Sequence, residues 1–190
     1  MNEHTPGFKT GDLLLVVDVQ KDFCPGGALP ITGGDEIVPV VNAWIAQARE
    51  DGIPIYLSRD WHPQHHFSFD ESGGPWPPHC LQDSDGADFH PDLIVPDTAV
   101  IVTKGTRFDQ DQNSAFDQTG LADWLRRQEI RRIFVTGLAQ DVCVRATVLD
   151  GCVAGFEMVL VTAATRPVTA EGGMQALEEM RDAGARILES

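Results

Sequence analysis

Five short apolar runs punctuate the chain, at residues 13–17, 53–57, 99–102, 133–135 and 158–161, and each is followed by Asp, Ser, Thr or Gly. None shows the in–out alternation of a strand with one wet face, so they predict strands covered on both sides, as in a parallel sheet. Between several of them the period changes to that of a helix. In 35–50 a single stripe is formed by Ile37, Val40, Val41, Trp44, Ile45 and Ala48, with Gly52 closing it. Leu121, Trp124 and Leu125 mark a second helix after Thr119, residues 141–150 a third, and Met174, Leu177 and Met180 a fourth, before a last short run at 186–188. Strand alternating with helix over the whole length predicts one α/β domain spanning 1–190, three layers deep (α/β/α) around a mainly parallel central sheet.

One stretch breaks the pattern. From about 60 to 96 Pro and Gly are dense and no period survives, yet four of the chain's six histidines fall there: His62, His65, His66 and His79. A loop that long inside a compact domain is usually functional or disordered, and the histidines favour function.

Charge narrows the partners. With 14 Lys and Arg against 29 Asp and Glu the formal net charge is −15, a field that repels phosphate backbones and anionic membranes. Arg126, Arg127, Arg131 and Arg132 are read as a solvated helix flank broken by Glu129, not a binding patch. No apolar run in the first half approaches the roughly 18 residues of a membrane span, and none resembles a signal segment. Four cysteines without a CxxC pair fit reduced thiols. A soluble cytoplasmic protein, with no nucleic-acid or membrane partner, is expected; homo-oligomerisation is left open.

In an open parallel sheet, ligands bind in the crevice at the carboxyl ends of the strands. That rule selects Asp18 after the first strand, Asp60 and His62 after the second, Lys104 after the third, and Cys143 at the start of the helix after the fourth. Each alone has a bland reading: a turn aspartate, a surface lysine, a small buried thiol. Together they supply a nucleophile, an ammonium that with a helix N-terminus would lower the thiol pKa, and a carboxylate to carry the proton. A Cys–His dyad is the rival, but only His4 and His90 lie outside the histidine cluster. Asp60, His62 and His79 mix carboxylate and imidazole as zinc, iron or manganese prefer, leaving positions open for water or substrate. His66 is a fourth ligand or a supporting group, and His65 is expected at the surface.

The segments Asp18-Val19-Gln20-Lys21-Asp22-Phe23, Asp60-Trp61-His62-Pro63 with His66-Phe67-Ser68-Phe69, Trp76-Pro77-Pro78-His79-Cys80, Lys104-Gly105-Thr106, Ser114-Ala115-Phe116 and Gly137-Leu138-Ala139-Gln140-Asp141-Val142-Cys143 are spread along most of the chain's length. In that order they resemble the nicotinamidase/pyrazinamidase branch of the isochorismatase-like cysteine hydrolases. The resemblance implies a catalytic triad of Asp18, Lys104 and Cys143, and one divalent cation, zinc before iron or manganese, on Asp60, His62 and His79. It also implies an oxyanion hole from the backbone N–H groups of Ala139 and Cys143, a cis peptide at Leu138–Ala139, and a pyridine ring held between Phe23 and Trp76 with Leu138 beside it. The implied reaction turns nicotinamide, and pyrazinamide, into the acid and ammonia through a thioester, in NAD salvage. A relative acting on a carbamoyl or ureido compound is the alternative. One departure is Asn113, where the family often has tyrosine; Glu71 is a further acidic group in reach of the cation through water.

Overall fold

The computed structural model describes residues 7–189; His4 lies outside them. The apolar runs form the strands β1 (Asp12–Val17), β2 (Ile55–Asp60), β3 (Val100–Lys104), β4 (Arg132–Leu138) and β5 (Glu157–Arg166), and the last short run forms β6 (Arg186–Leu188). They make one sheet in the order β3-β2-β1-β4-β5-β6, with every neighbouring pair parallel. Helices α1 (Val38–Glu50), α2 (Leu121–Arg127), α3 (Arg145–Val153) and α4 (Ala170–Asp182) cover it.

All six residues of β1 are buried. Leu14 and Val16 pack on the α1 side against Val41, Trp44 and Ile45. Leu13, Leu15 and Val17 face the other way, in one core with Leu125 of α2, Val148 of α3 and Met180 of α4. Burial on both faces is why these runs lack alternation, and the three-layer expectation holds.

Boundaries shift where backbone chemistry outweighs side-chain pattern. β2 begins at Ile55 because Pro54 has no N–H to give the ladder. β2 and β3 run past their apolar residues until Asp60 stands opposite Lys104, since ladder hydrogen bonds are indifferent to side-chain polarity. The third helix is entered through a π-helical turn, Gln140–Val144.

Two contacts fix the strands that flank the centre. Gly137 on β4 has φ +109°, and a Cβ there would overlap the backbone of Val17 on β1; only glycine permits that approach. At the amino end of the same two strands, the Arg132 guanidinium donates to both oxygens of Asp12, Nε to Oδ1 at 2.9 Å and Nη2 to Oδ2 at 2.5 Å. Arg132 is therefore not part of a solvated basic face: it is buried and neutralised, because its register partner on β1 is Asp12. Among the described residues no helix is long and apolar enough to cross a membrane.

Candidate active site

The strand order reverses between β1 and β4, and the crevice at their carboxyl ends is where open α/β sheets bind ligands. Asp18 stands there in a left-handed conformation, φ +47°. Its N–H donates to the Ser58 carbonyl at 3.2 Å, and its carbonyl accepts from Gln20 N at 2.8 Å. Ser58 Oγ donates to Asp18 Oδ1 at 2.7 Å, which aims the other oxygen into the crevice. Gln20 ties the next strand end in: its side chain accepts from Asp60 N and donates to the carbonyls of Asp60 and Ala87, each at 2.8 Å.

Lys104 is completely buried, and its Nζ is 2.7 Å from Asp18 Oδ2, 2.5 Å from Asp60 Oδ1 and 3.5 Å from Cys143 Sγ. The contact to Asp18 Oδ2 is a close ion pair between two fully buried side chains. Cys143 Sγ and one oxygen each of Asp18 and Asp60 lie within 4.8 Å of one another. Four strand ends have thus delivered a thiol, an ammonium and two carboxylates to one point.

The electrostatics of this cluster correct one expectation. Burial raises the Cys143 thiol well above its ordinary pKa; Lys104 pulls it down, but Asp18 and Asp60 push it up again. Burial likewise raises Asp18 despite Lys104. Burial alone would lower Lys104, yet the two carboxylates hold it well above its usual value. Two carboxylates favour the charged lysine, while at the sulfur desolvation and two negative neighbours act against the one ammonium.

A cavity of about 410 Å³, counted to its open mouth, adjoins the sulfur and is walled by Phe23, Trp76, Ala139, Val142, Val168 and Cys143 among others. The peptide Leu138–Ala139 is cis. Leu138 does not line the cavity: its side chain is fully buried in the core on the α1 side, so only its backbone belongs to the site. Asn113 reaches the Cys143 sulfur instead, with Oδ1 3.9 Å from Sγ. Wall residues Leu29, Pro30, Ile31 and Val168 were not foreseen, since nothing in their local pattern sets them apart from ordinary loop residues.

Asp60, His62 and His79 are all buried, and one donor atom from each lies within 4.8 Å of the others. His62 Nδ1 faces the His79 carbonyl at 3.2 Å and His79 Nδ1 faces that of Pro77 at 2.8 Å. Each carbonyl takes an Nδ1–H, so each Nε2 is left as a lone pair. His62 Nε2 is buried without a partner. Gly105 leaves the space open: a Cβ there would stand 2.8 Å from His62 Nε2 and 3.2 Å from Asp60 Oδ1. Donors, an orphaned lone pair and a space that a methyl group would fill suit a divalent cation. Burial opposes charge on Asp60, but Lys104, His62 and His79 together hold its carboxyl below the ordinary value. His66 is buried beside His62, ring centres 4.5 Å apart, whereas His65 is at the surface with its Nδ1 2.9 Å from Glu71.

Comparison with known proteins agrees with this architecture. A family model described as "Isochorismatase domain" matches residues 12–190. A nicotinamidase of Escherichia coli is 38% identical over 197 residues, covering 92% of each chain. The pyrazinamidase of Pyrococcus horikoshii, solved in complex with zinc, superimposes with a TM-score of 0.91 at 44% identity, over 95% of this chain and 99% of that one. PnC1 of L. infantum, solved in complex with nicotinate, gives 0.89 at 38% identity, over 95% and 93%. With a matching family model across nearly its whole length, the chain belongs to the isochorismatase family.

Proposed function

We propose that this protein is a nicotinamidase, hydrolysing nicotinamide, and pyrazinamide as a close analogue, to the carboxylate and ammonia through a thioester on Cys143. The observation that carries the reading is the solvent-excluded Asp18–Lys104–Cys143 cluster opening on a cavity flanked by Phe23 and Trp76. A nucleophile, a proton carrier and a fixed positive charge suit amide cleavage, and two aromatic walls suit a flat ring.

Cys143 Sγ adds to the carboxamide carbon as Asp18 takes its proton. Oxygen gains the negative charge and accepts from the backbone N–H groups of Ala139 and Cys143, each such donor contributing about 3 kcal/mol in a dry site. Asp18 then returns the proton to nitrogen as the C–N bond breaks, and ammonia leaves a thioester behind. Water gives one proton to Asp18 and adds to the thioester carbon; the sulfur departs with that proton, and the carboxylic acid so formed releases its remaining proton to solvent as the carboxylate. Lys104 remains an ammonium throughout and offsets the negative charge that passes between Asp18 and sulfur. Asp60, His62 and His79 would hold one divalent cation, zinc in preference to iron or manganese; when bound it supplies a Lewis acid that anchors a ring nitrogen. Phe23 and Trp76 orient the ring. Four free cysteines and an acidic surface fit a cytoplasmic enzyme of NAD salvage.

Release of nicotinate and ammonia from nicotinamide by the purified protein tests this, beside pyrazinamide and a set of N-carbamoyl and ureido amides. Preference for the pyridine and pyrazine amides is expected. Turnover confined to the carbamoyl or ureido compounds would move the protein to the neighbouring class of amidohydrolases.

A further inference from the structure

A second group of donors touches the first. His62, His66 and Asp111 also bring one donor atom each to within 4.8 Å of one another. The two groups share His62, whose Nε2 has one lone pair and can bind one ion. They therefore describe the surroundings of a single cation, approached from two segments of chain.

Asp111 Oδ1 is 3.8 Å from His62 Nε2. That is too long for a hydrogen bond. It is the spacing of two donors on a common ion, which at bond lengths of about 2.1 Å stand roughly 3 to 4 Å apart. His62 Nε2 and His66 Nε2 are both buried with no hydrogen-bond partner, so the space between these side chains is lined by unmet polar atoms. His66 is held through its other nitrogen: Nδ1 lies 2.8 Å from Ser68 Oγ and accepts from the Ser68 amide at 3.3 Å. Loop packing presents Asp111: the Gln112 side chain accepts from Thr106 N at 3.2 Å and donates to the Asp117 carbonyl at 2.7 Å, closing the loop beneath it. Glu71, the acidic residue nearest to hand in the histidine loop, points elsewhere and pairs with His65 at the surface.

We propose that Asp111 donates a carboxylate oxygen to the cation held by Asp60, His62 and His79, so that the loop following β3 closes the cation site. The proposal rests on the reading of Asp60, His62 and His79 as a cation site, and it does not depend on the amide substrate.

The test uses metal-stripped full-length protein and Zn2+ in competition with a chromophoric chelator, with no amide present. Asp111→Asn and Asp111→Ser are each expected to bind zinc at least tenfold more weakly than wild type, and Glu71→Gln within twofold of it. Saturation with Co2+ gives a second readout: the visible bands of the cobalt protein should change in either Asp111 variant and stay unchanged in Glu71→Gln. Zinc affinity within twofold of wild type in both Asp111 variants, or cobalt bands identical to wild type, overturns the proposal. Zinc binding that depends on Asp111 in a protein without nicotinamidase activity would overturn only the substrate assignment.

Discussion

The buried Lys104 ammonium lies 3.5 Å from the Cys143 sulfur at the bottom of the site, and two carboxylates flank it. Sulfur and ammonium come from the ends of segments 39 residues apart in sequence. Replacing the sulfur removes the only nucleophile in this cluster. Cys143→Ala should lower kcat for nicotinamide by about 10³-fold or more, in line with loss of a covalent nucleophile elsewhere, with an unchanged circular dichroism spectrum. Near-normal turnover by that variant would exclude covalent catalysis.

Thiol reactivity should report the buried environment. In chelated protein, burial and the two aspartates raise the pKa of Cys143 above that of an ordinary thiol, so less thiolate is present at any given pH. Alkylation by iodoacetamide, taken as the difference between wild type and Cys143→Ala to subtract Cys152, should be slow at neutral pH and still be rising above pH 9. A reaction already at its plateau by pH 7 would show that the sulfur rests as thiolate.

Lys104 is expected to matter to the fold as well as to the reaction. Lys104→Met would leave Asp18 and Asp60 buried side by side without a counter-charge. Breaking a buried pair from one side typically costs about 3–5 kcal/mol, and urea denaturation should register it together with loss of turnover. Unaltered stability would mean that the carboxylates gain protons easily and that the ammonium is dispensable to packing.

Removal of the cation should raise KM for nicotinamide, and added metal should restore it. Gly105→Ala tests the same site from the protein side, because its Cβ would stand 2.8 Å from His62 Nε2. Zinc affinity of that variant should fall; binding equal to wild type would move the cation away from this position.

The β-branched runs and the rule that ligands gather at strand ends are enough to bring Asp18, Asp60, His62, Lys104 and Cys143 to one crevice from the sequence alone. Such residues announce themselves by where they sit relative to a strand. What stayed hidden depends on contacts across the chain. Arg132 reads as one more surface arginine until β1 and β4 pair and set it opposite Asp12. Ser58 and Gln20 look like ordinary polar residues, and only the parallel register turns them into the supports of Asp18 and Asp60. Asp111 lies in a short polar loop with no period, and its nearness to His62 follows from folding alone. The raised thiol pKa was also beyond the sequence, because desolvation depends on the full depth of burial.

The two ends of the sheet carry different burdens. All the chemistry hangs from the carboxyl ends of β1 to β4, whereas the Asp12–Arg132 clamp sits at the opposite end of β1 and β4. An engineer seeking a hardier enzyme therefore has a safe face to work on: substitutions around the clamp can retune melting temperature with the reaction left alone, while any change at the other rim trades robustness against turnover.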